Sequence, residues 1–267
     1  MQKKIKVCYL FTRFDNVQTL LNFIENYKKY NSNQEHDLII CFKLLDVFFI
    51  NNLKIYLNGI NYIEFIDISK KNDFDLGSYK RVSEKYPDDI IFFLNSHSYP
   101  ICDSWLSKIV NLYKEKTIIG TSASNESLLS SLKLKKFYKF FDYSLKKYKY
   151  KKDFFTFPNP HIRTTGFLIN GSDYYNYIKD KKLDNKYDAW LIESGKNNLT
   201  NFFKKKKFNI IVVNSDGNYY FENNWMLSKT YNYLNQSKSI ISDKHTRKYL
   251  SLNDENKKLS QFNTWGK

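Results

Sequence analysis

Short apolar runs alternate with segments of helical period along the first 120 residues of the chain. The apolar runs are each typical of a buried strand, and they cover residues 4–11, 37–45, 62–68, 89–94 and 116–120. Between them, apolar side chains recur every three to four residues, as they do on one face of a helix. Strands and helices that alternate at this spacing predict an α/β fold with a mostly parallel central sheet covered by helices on both faces.

The second half of the chain is less regular. Residues 165–169 and 208–213 predict two further strands, and residues 189–203 predict a helix. Residues 128–157 are rich in Lys and aromatic residues and predict an amphipathic helix followed by a loop. The lysines of that helix lie either on a solvated face or on a surface that binds anionic lipid or another polyanion. Because no repeat or Pro/Gly-rich linker divides the sequence, we expect one continuous domain.

Charge and composition limit the classes of partner. The 267 residues include 43 Lys and Arg against 27 Asp and Glu, a net charge of +16, so an anionic partner is expected. The composition is also skewed toward Lys, Asn, Ile, Tyr and Phe, while alanine occurs only at positions 123 and 189. A/T-rich codons would produce the same skew. The charge alone therefore does not predict nucleic-acid binding.

Missing motifs exclude several common sites. Neither GxGxxG nor GxxxxGK[ST] occurs, which argues against dinucleotide and P-loop sites, and no GxSxG elbow of a hydrolase is present. The three cysteines lack metal-ligand spacing and fit a reducing compartment. No apolar stretch approaches the roughly 18 residues of a membrane span, and the N-terminal one is too short for a signal peptide. We therefore expect a soluble, cytoplasmic protein, either free or peripherally bound at the inner face of the membrane.

The most informative stretch is DIIFFLNSHSYPICDSWL at residues 89–106, in which a hydrophobic strand ends in small polar side chains. Ligands of parallel sheets bind beyond the carboxyl ends of the strands. Together with KNDFDLGSYK at residues 71–80, this stretch resembles the nucleotide-sugar glycosyltransferases of the GT-A fold, in particular family 2. The resemblance implies a single GT-A-like domain, with a donor-binding half at residues 1–125 and an acceptor-binding half and C-terminal tail at residues 126–267.

In that family the strand ends in an Asp-x-Asp motif that binds a divalent metal, and this chain departs from the motif. The corresponding residues are Asn95, Ser96 and His97, which include no carboxylate. Mg²⁺ and Mn²⁺ prefer oxygen ligands, although a histidine nitrogen also suits Mn²⁺. Two interpretations stay open. Either His97 holds a divalent cation together with His245, or no metal is required and Lys and Arg side chains neutralise the donor diphosphate.

The same resemblance implies further contacts to the nucleotide-sugar donor. The residues implied to line its base, ribose and diphosphate sites are Thr12, Arg13, Asp15, Asp67, Asp75, Gly77, Tyr79 and Arg163. In the tail, Asp243, His245 and Arg247 alternate, so in an extended segment they would point to one side. The resemblance implies that His245 and Arg247 bind the diphosphate. We expect Arg13, Arg163 and Arg247 to converge there.

An inverting sugar transfer needs a carboxylate that accepts the proton of the acceptor hydroxyl. In the resembled family this base lies near a helix start in the second half, where Asp188 and Glu193 are the candidates here. Glu193 ranks first because Ser194-Gly195 predicts a turn that exposes it, whereas Asp188 could equally cap the helix. For the acceptor, Trp190 offers an apolar face to a sugar ring and His161 a partner to a sugar hydroxyl.

The sequence thus predicts a glycosyltransferase of the hexosyltransferase type. It would move a sugar from a nucleotide diphosphate donor to a glycan or lipid-linked acceptor in bacterial surface polysaccharide synthesis, with inversion. The cofactor is either none or Mn²⁺ or Mg²⁺, and no specific nucleic-acid partner is expected. Two alternatives stay open: a basic nucleic-acid-binding α/β domain that uses residues 133–155, and a catalytically degenerate relative that only binds glycans.

Overall fold

The computed structural model describes residues 3–134 and 136–266, which form an eight-stranded central sheet and two small strand pairs. In chain order the strands are β1 (Ile5–Thr12), β2 (Asp37–Lys43), β3 (Ile63–Asp67), β4 (Ile90–Leu94), β5 (Tyr99–Pro100), β6 (Thr117–Gly120), β7 (Ala123–Ser124), β8 (His161–Ile162), β9 (Gly166–Asn170), β10 (Asn209–Val213), β11 (Tyr219–Phe221) and β12 (Ile241–Ser242). The sheet order is β11-β10-β6-β9-β4-β1-β2-β3. Strands β1 to β4 are parallel, as are β6 and β10, which confirms the predicted mostly parallel α/β sheet.

Two strands of the sheet run against the others. Strand β9 lies antiparallel between β4 and β6, and β11 is antiparallel to β10 at one edge. The two small pairs, β5 with β12 and β7 with β8, are also antiparallel. Because β5 follows β4 and β7 follows β6, these pairs bring the second half of the chain to the carboxyl edge of the sheet.

Helices cover both faces of the sheet, as predicted. They are α1 (Val17–Lys29), α2 (Val47–Leu53), α3 (Phe74–Lys85), α4 (Trp105–Val110), α5 (Phe140–Asp153), α6 (Gly171–Ile178), α7 (Lys186–Ser194), α8 (Leu199–Lys205), α9 (Lys244–Leu250) and α10 (Asp254–Trp265). On one face Phe23 of α1 and Trp105 of α4 are buried, and on the other Val82 of α3 and Tyr174 of α6. Successive residues of each strand point to opposite faces, so every central strand contributes to both apolar layers.

Two regions differ from the predicted elements. The helix predicted over 189–203 is divided into α7 and α8. The break falls at Gly195, where a Cβ would lie 2.6 Å from the carbonyl oxygen of Leu191. In the tail, where an extended segment was considered for residues 243–247, the chain forms α9 and α10. As far as the chain is described, its helices are all too short or too polar to cross a bilayer.

Candidate functional site

A small cavity of about 230 Å³ lies at the carboxyl ends of β1, β2 and β4. Its lining residues are Thr12, Phe14, Asp15, Lys43, Asn72, Phe74, Asp75, Asn95, Ser96 and His97. Six of the predicted donor-binding residues are therefore brought together here, from three segments that are distant in sequence. Phe14, Lys43, Asn72 and Phe74 were not predicted. Lys43 ends an otherwise buried apolar strand, a position that could have pointed to it.

Asp15 joins the ends of β1 and β4 in this cavity. Its Oδ2 accepts hydrogen bonds from the Thr12 N–H at 2.9 Å and the Thr12 hydroxyl at 2.7 Å. Its Oδ1 accepts from the Ser96 hydroxyl at 2.8 Å and lies 3.6 Å from His97 Nε2. Burial lowers the pKa of His97, although the charge of Asp15 opposes this. The imidazole is therefore mainly neutral at pH 7. The hydrogen bonds of Asp15 hold the polar groups of the two strand ends in place.

The residues at the Asp-x-Asp positions do not fit a divalent cation. The side-chain oxygen of Asn95 accepts from the His97 N–H and the Ser98 hydroxyl, while the Ser96 hydroxyl donates to Asp15. His245 lines a different cavity from His97, which does not favour the interpretation that these two histidines hold one cation. Within residues 3–134 and 136–266, the structure contains no group of three or more His, Cys, Asp or Glu side chains that could hold a metal ion.

Asp67 was expected to contact the donor, but it belongs to a buried ion network. Arg81 donates from Nε to Asp67 Oδ1 and from Nη2 to Asp67 Oδ2, each at 2.6 Å, and the Ser78 hydroxyl donates to Oδ2 at 2.6 Å. Arg81 also binds Asp73, which receives a hydrogen bond from the ammonium group of Lys43. The carboxylate of Asp67 is fully used, so the network fixes the start of α3 beside the small cavity.

Gly77 and Tyr79 do not line the cavity, contrary to expectation. Tyr79 is fully buried, with its ring 4.4 Å from that of Phe93. A Cβ at Gly77 would lie 2.0 Å from Cγ of Asp73, so this glycine makes room for the ion network. Of Asp75, Gly77 and Tyr79, which come from one segment, only Asp75 lines the small cavity. Desolvation by the surrounding protein raises the pKa of Asp75 to about 6.

A large cavity of about 930 Å³ is formed by the second half of the chain together with residues 126–133. The predicted residues His161, Arg163, Trp190, Glu193 and His245 all line it. Residues that were not predicted include Glu126, Lys133, Phe157, Tyr231, Lys248 and Tyr249. The wall thus combines aromatic rings with hydroxyl, carboxylate and ammonium groups, a mixture that suits a polar ligand with apolar ring faces.

Glu193 lies in the last turn of α7, one turn beyond Trp190. Thr164 donates a hydrogen bond from its hydroxyl to Glu193 Oε1 at 3.0 Å. Desolvation raises the pKa of Glu193 to about 7, the Thr164 hydrogen bond opposes the shift, and the negative charge of Asp75 adds to it. Asp75, which lines the small cavity, is thus close enough to Glu193 of the large cavity for the two charges to interact.

Asp188 is not part of the cavity wall. Its Oδ2 accepts from the backbone N–H groups of Asp184 and Asn185, and Asn185 in turn caps α7. This capping box accounts for Asp188, which lines neither cavity, so the structure favours the helix-capping alternative for this residue.

The three arginines expected at the diphosphate do not converge. Arg163 Nη1 donates to Asp243 Oδ2 at 2.7 Å, and its guanidinium lies 3.8 Å from the ring centroid of Tyr231. Arg247 donates to the carbonyl oxygen of His97 and to the Ser242 hydroxyl, each at 3.1 Å, and lines neither cavity. Arg13 is exposed and lines neither cavity.

The tail residues occupy a helix start rather than an extended segment. Asp243 caps α9, with Oδ1 accepting from the N–H groups of His245 and Thr246. His245 lines the large cavity, where partial desolvation and then the positive charge of Arg163 lower its pKa. His161 Nδ1 lies 2.8 Å from the carbonyl oxygen of Asn159, and burial lowers its pKa as well. Both imidazoles are therefore mainly neutral at pH 7.

No profile of a known protein family matches the chain, and no curated protein matches it significantly. Solved structures of similar fold exist at low identity. A 4-diphosphocytidyl-2C-methyl-D-erythritol synthase from Anaerococcus prevotii is 12% identical, with 79% of this chain and 88% of that chain covered and a TM-score of 0.48. For the galactosyltransferase LgtC, the identity is 10%, the coverage 79% and 73%, and the TM-score 0.46.

The glycosyltransferase GlyE of Streptococcus pneumoniae is 12% identical to this chain, with a TM-score of 0.44. The alignment covers 78% of this chain but only 45% of GlyE, so the chain spans less than half of that protein. The alignment with GalNAc-T7 covers 44% of this chain and 22% of the GalNAc-T7 chain. These similarities concern the course of the backbone, and at such identities they assign no activity to this chain.

Proposed function

We propose that this protein is a glycosyltransferase that moves a sugar from a nucleotide diphosphate donor to a glycan or lipid-linked acceptor, with a bacterial surface polysaccharide as the product. The observation that carries the proposal is the carboxyl group of Glu193. It lines a cavity large enough for a sugar chain, it has a pKa of about 7, and it lies close enough to Asp75 of the small cavity for the two charges to interact. A base in this place would act at the junction of donor and acceptor.

The small cavity is proposed to hold the nucleoside part of the donor. Phe14 and Phe74 border it with aromatic rings, and Phe14 is 64% exposed, so a nucleobase could stack there. Asp15 and Asp75 supply carboxylate oxygens for base or ribose hydroxyls. At the junction, Lys244 and Arg247 lie close enough to His97 to influence its charge, and they are proposed to balance the donor diphosphate.

The large cavity is proposed to hold the acceptor. Trp190 offers a ring face to a sugar, and the neutral His161 can exchange hydrogen bonds with a hydroxyl. Glu193 accepts the proton of the attacking hydroxyl while the acceptor oxygen bonds to the anomeric carbon and the bond to the nucleotide diphosphate breaks. Attack from the face opposite the leaving group inverts the anomeric centre.

The proposed function is tested by incubating the purified chain with a panel of nucleotide sugars and polyprenyl-phosphate-linked or free glycan acceptors, with and without EDTA. We expect acceptor-dependent release of a nucleoside diphosphate with at least one donor. Binding of donor or glycan without turnover would support a degenerate relative instead. Tight, steeply salt-dependent binding of RNA or DNA with no response to any nucleotide sugar would replace the proposal by nucleic-acid binding.

The pKa of Glu193 predicts the pH dependence of the reaction. Because the base must be ionised, kcat/KM should rise about tenfold per pH unit below pH 7 and level off above it. Thr164→Val removes a hydrogen bond to the ionised form and should move the midpoint up. Asp75→Asn removes a neighbouring negative charge and should move the midpoint down. Initial rates of nucleoside diphosphate release across this range measure all three, and a flat profile through neutrality would contradict the assignment.

A further inference from the structure

Helix α5 touches the rest of the protein with one face only. Tyr150 is buried on that face, where its ring lies 5.2 Å from Phe154 and 5.5 Å from Tyr187. Phe141, Leu145 and Tyr148, at i, i+4 and i+7, lie on the opposite face. They are 72%, 56% and 78% exposed. Large apolar side chains that are exposed together on one face form a contiguous patch, which is typical of an interaction surface, unlike single exposed apolar residues.

Positive charge lies on and around this helix. The exposed lysines of α5 are Lys146, Lys147, Lys149, Lys151 and Lys152. At helical spacing Lys151 lies beside the outward face and Lys152 on it, whereas Lys146 and Lys149 lie over the rings of Tyr150 and Tyr187. The helix has two acidic residues, Asp142 and Asp153, and Asp153 accepts a hydrogen bond from the Tyr187 hydroxyl at 2.6 Å. A helix with an apolar outward face and a strongly basic border has the pattern of helices that lie in the interface of an anionic bilayer.

The position of α5 in the chain links it to the large cavity. Leu128, Ser130, Ser131 and Lys133 line that cavity, and Phe157 lines it again after the helix. The chain therefore leaves the cavity wall, forms α5 and returns to the same wall. Within the part of the chain that the structure describes, Tyr138 and Phe140 before the outward face are also exposed, at 74% and 57%. A surface that binds α5 would lie next to the cavity mouth.

We propose that α5 docks this protein on an anionic phospholipid bilayer, with Phe141, Leu145 and Tyr148 inserted among the acyl chains and the lysines at the headgroups. A second copy of the chain fits this surface less well, since pairing the two faces would bring their lysines together. Nucleic acid fits less well because the centre of the face is apolar and includes Leu145, which has no ring to stack on a base. Docking is independent of the proposed glycosyl transfer, and it places the acceptor cavity at the membrane.

The test is co-sedimentation of the full chain with vesicles of phosphatidylcholine alone or with about one third phosphatidylglycerol. We expect binding to the anionic vesicles only, weakened by high salt. Phe141→Gln/Leu145→Gln/Tyr148→Gln should reduce partitioning at least about tenfold, and so should Lys147→Gln/Lys151→Gln/Lys152→Gln. The matched control is Val47→Gln/Phe48→Gln/Ile55→Gln, which removes exposed apolar side chains elsewhere and should leave binding unchanged.

Circular dichroism melting of each variant confirms that the fold is intact, which is expected because the replaced side chains are exposed. Equal binding by wild type and the α5 apolar variant would overturn the proposal. A dimer in sedimentation that the same variant abolishes, without vesicle binding, would assign the face to a second copy. Binding of RNA that the lysine variant abolishes, without vesicle binding, would assign it to nucleic acid. No outcome depends on turnover, so failure here is distinguishable from failure of the proposed glycosyl transfer.

Discussion

Glu193→Gln should lower kcat of glycosyl transfer by about 10²–10⁴-fold and leave the Kd of the nucleotide-sugar donor unchanged. The amide has nearly the shape of the carboxyl group and can still bond with the Thr164 hydroxyl, which lies 3.0 Å from Oε1 in the wild type. It cannot accept the proton of the acceptor hydroxyl at neutral pH. Steady-state rates of nucleoside diphosphate release give kcat, and calorimetric titration with the donor gives Kd.

Asp188→Asn is the matched control, because Asp188 is the other carboxylate of α7. It accepts hydrogen bonds from Asp184 and Asn185 at the start of the helix and lies outside the cavity wall. Asparagine keeps an oxygen that can accept from both N–H groups, so this change should cost less than about 1 kcal/mol of stability and leave kcat unaltered. If kcat falls with Asp188→Asn and not with Glu193→Gln, the assignment of the base is wrong.

The fold was predictable where the chain repeats one local pattern. Strands β1, β2 and β4 are runs of apolar residues that are buried on both faces, and the segments between the early strands carry a helical period, so a parallel sheet could be predicted. The place of β9 between β4 and β6 was not predictable, since a strand's apolar pattern does not say which strands it pairs with. The start of α9 was missed because the alternating charges of Asp243, His245 and Arg247 suggested an extended segment. Asp243 followed three residues later by Thr246 is a capping pattern that points to a helix instead.

The candidate site was predictable to the extent that it follows from topology. Parallel strands end at one edge, so residues 12–15 and 95–97 could be expected together, and the structure places most of them around the small cavity. The partners of the charged residues could not be predicted. Asp67 is bound by Arg81 and Arg163 by Asp243, and the second pair is separated by 80 positions in the sequence. A carboxylate near a strand end looks the same in the sequence whether it faces a ligand or an arginine.

Asp243→Asn should lower the free energy of unfolding by about 3–5 kcal/mol, because it leaves the buried charge of Arg163 uncompensated. The side chains of Arg163 and Asp243 are 9% and 3% exposed, and the N–O distance is 2.7 Å. Asparagine keeps an oxygen that can accept from the N–H groups of His245 and Thr246, so the cap of α9 is retained. The substitution therefore removes only the negative charge that faces Arg163. Denaturation by urea measures the loss.

The effect of pH on this difference has a defined sign. Burial disfavours the ionised form of Asp243, but the charge and hydrogen bond of Arg163 outweigh it and hold the pKa of Asp243 well below its ordinary range. A carboxyl group with a lowered pKa in the folded state contributes stability that is fully present above about pH 4 and is lost as the pH falls toward the folded-state pKa. The stability difference between wild type and Asp243→Asn should therefore shrink on acidification.

Two further variants test whether the loss of stability comes from leaving a buried charge unpaired rather than from losing any ion pair. Lys204→Met breaks an ion pair with Glu222 whose N–O distance, 2.6 Å, is similar but whose side chains are open to solvent. It should lower the free energy of unfolding by less than about 1 kcal/mol. Arg163→Met/Asp243→Asn removes both buried charges and should recover most of the loss. If Asp243→Asn costs no more than Lys204→Met, water reaches the guanidinium of Arg163. That group would then be free to bind an anionic ligand in the large cavity, as the sequence suggested.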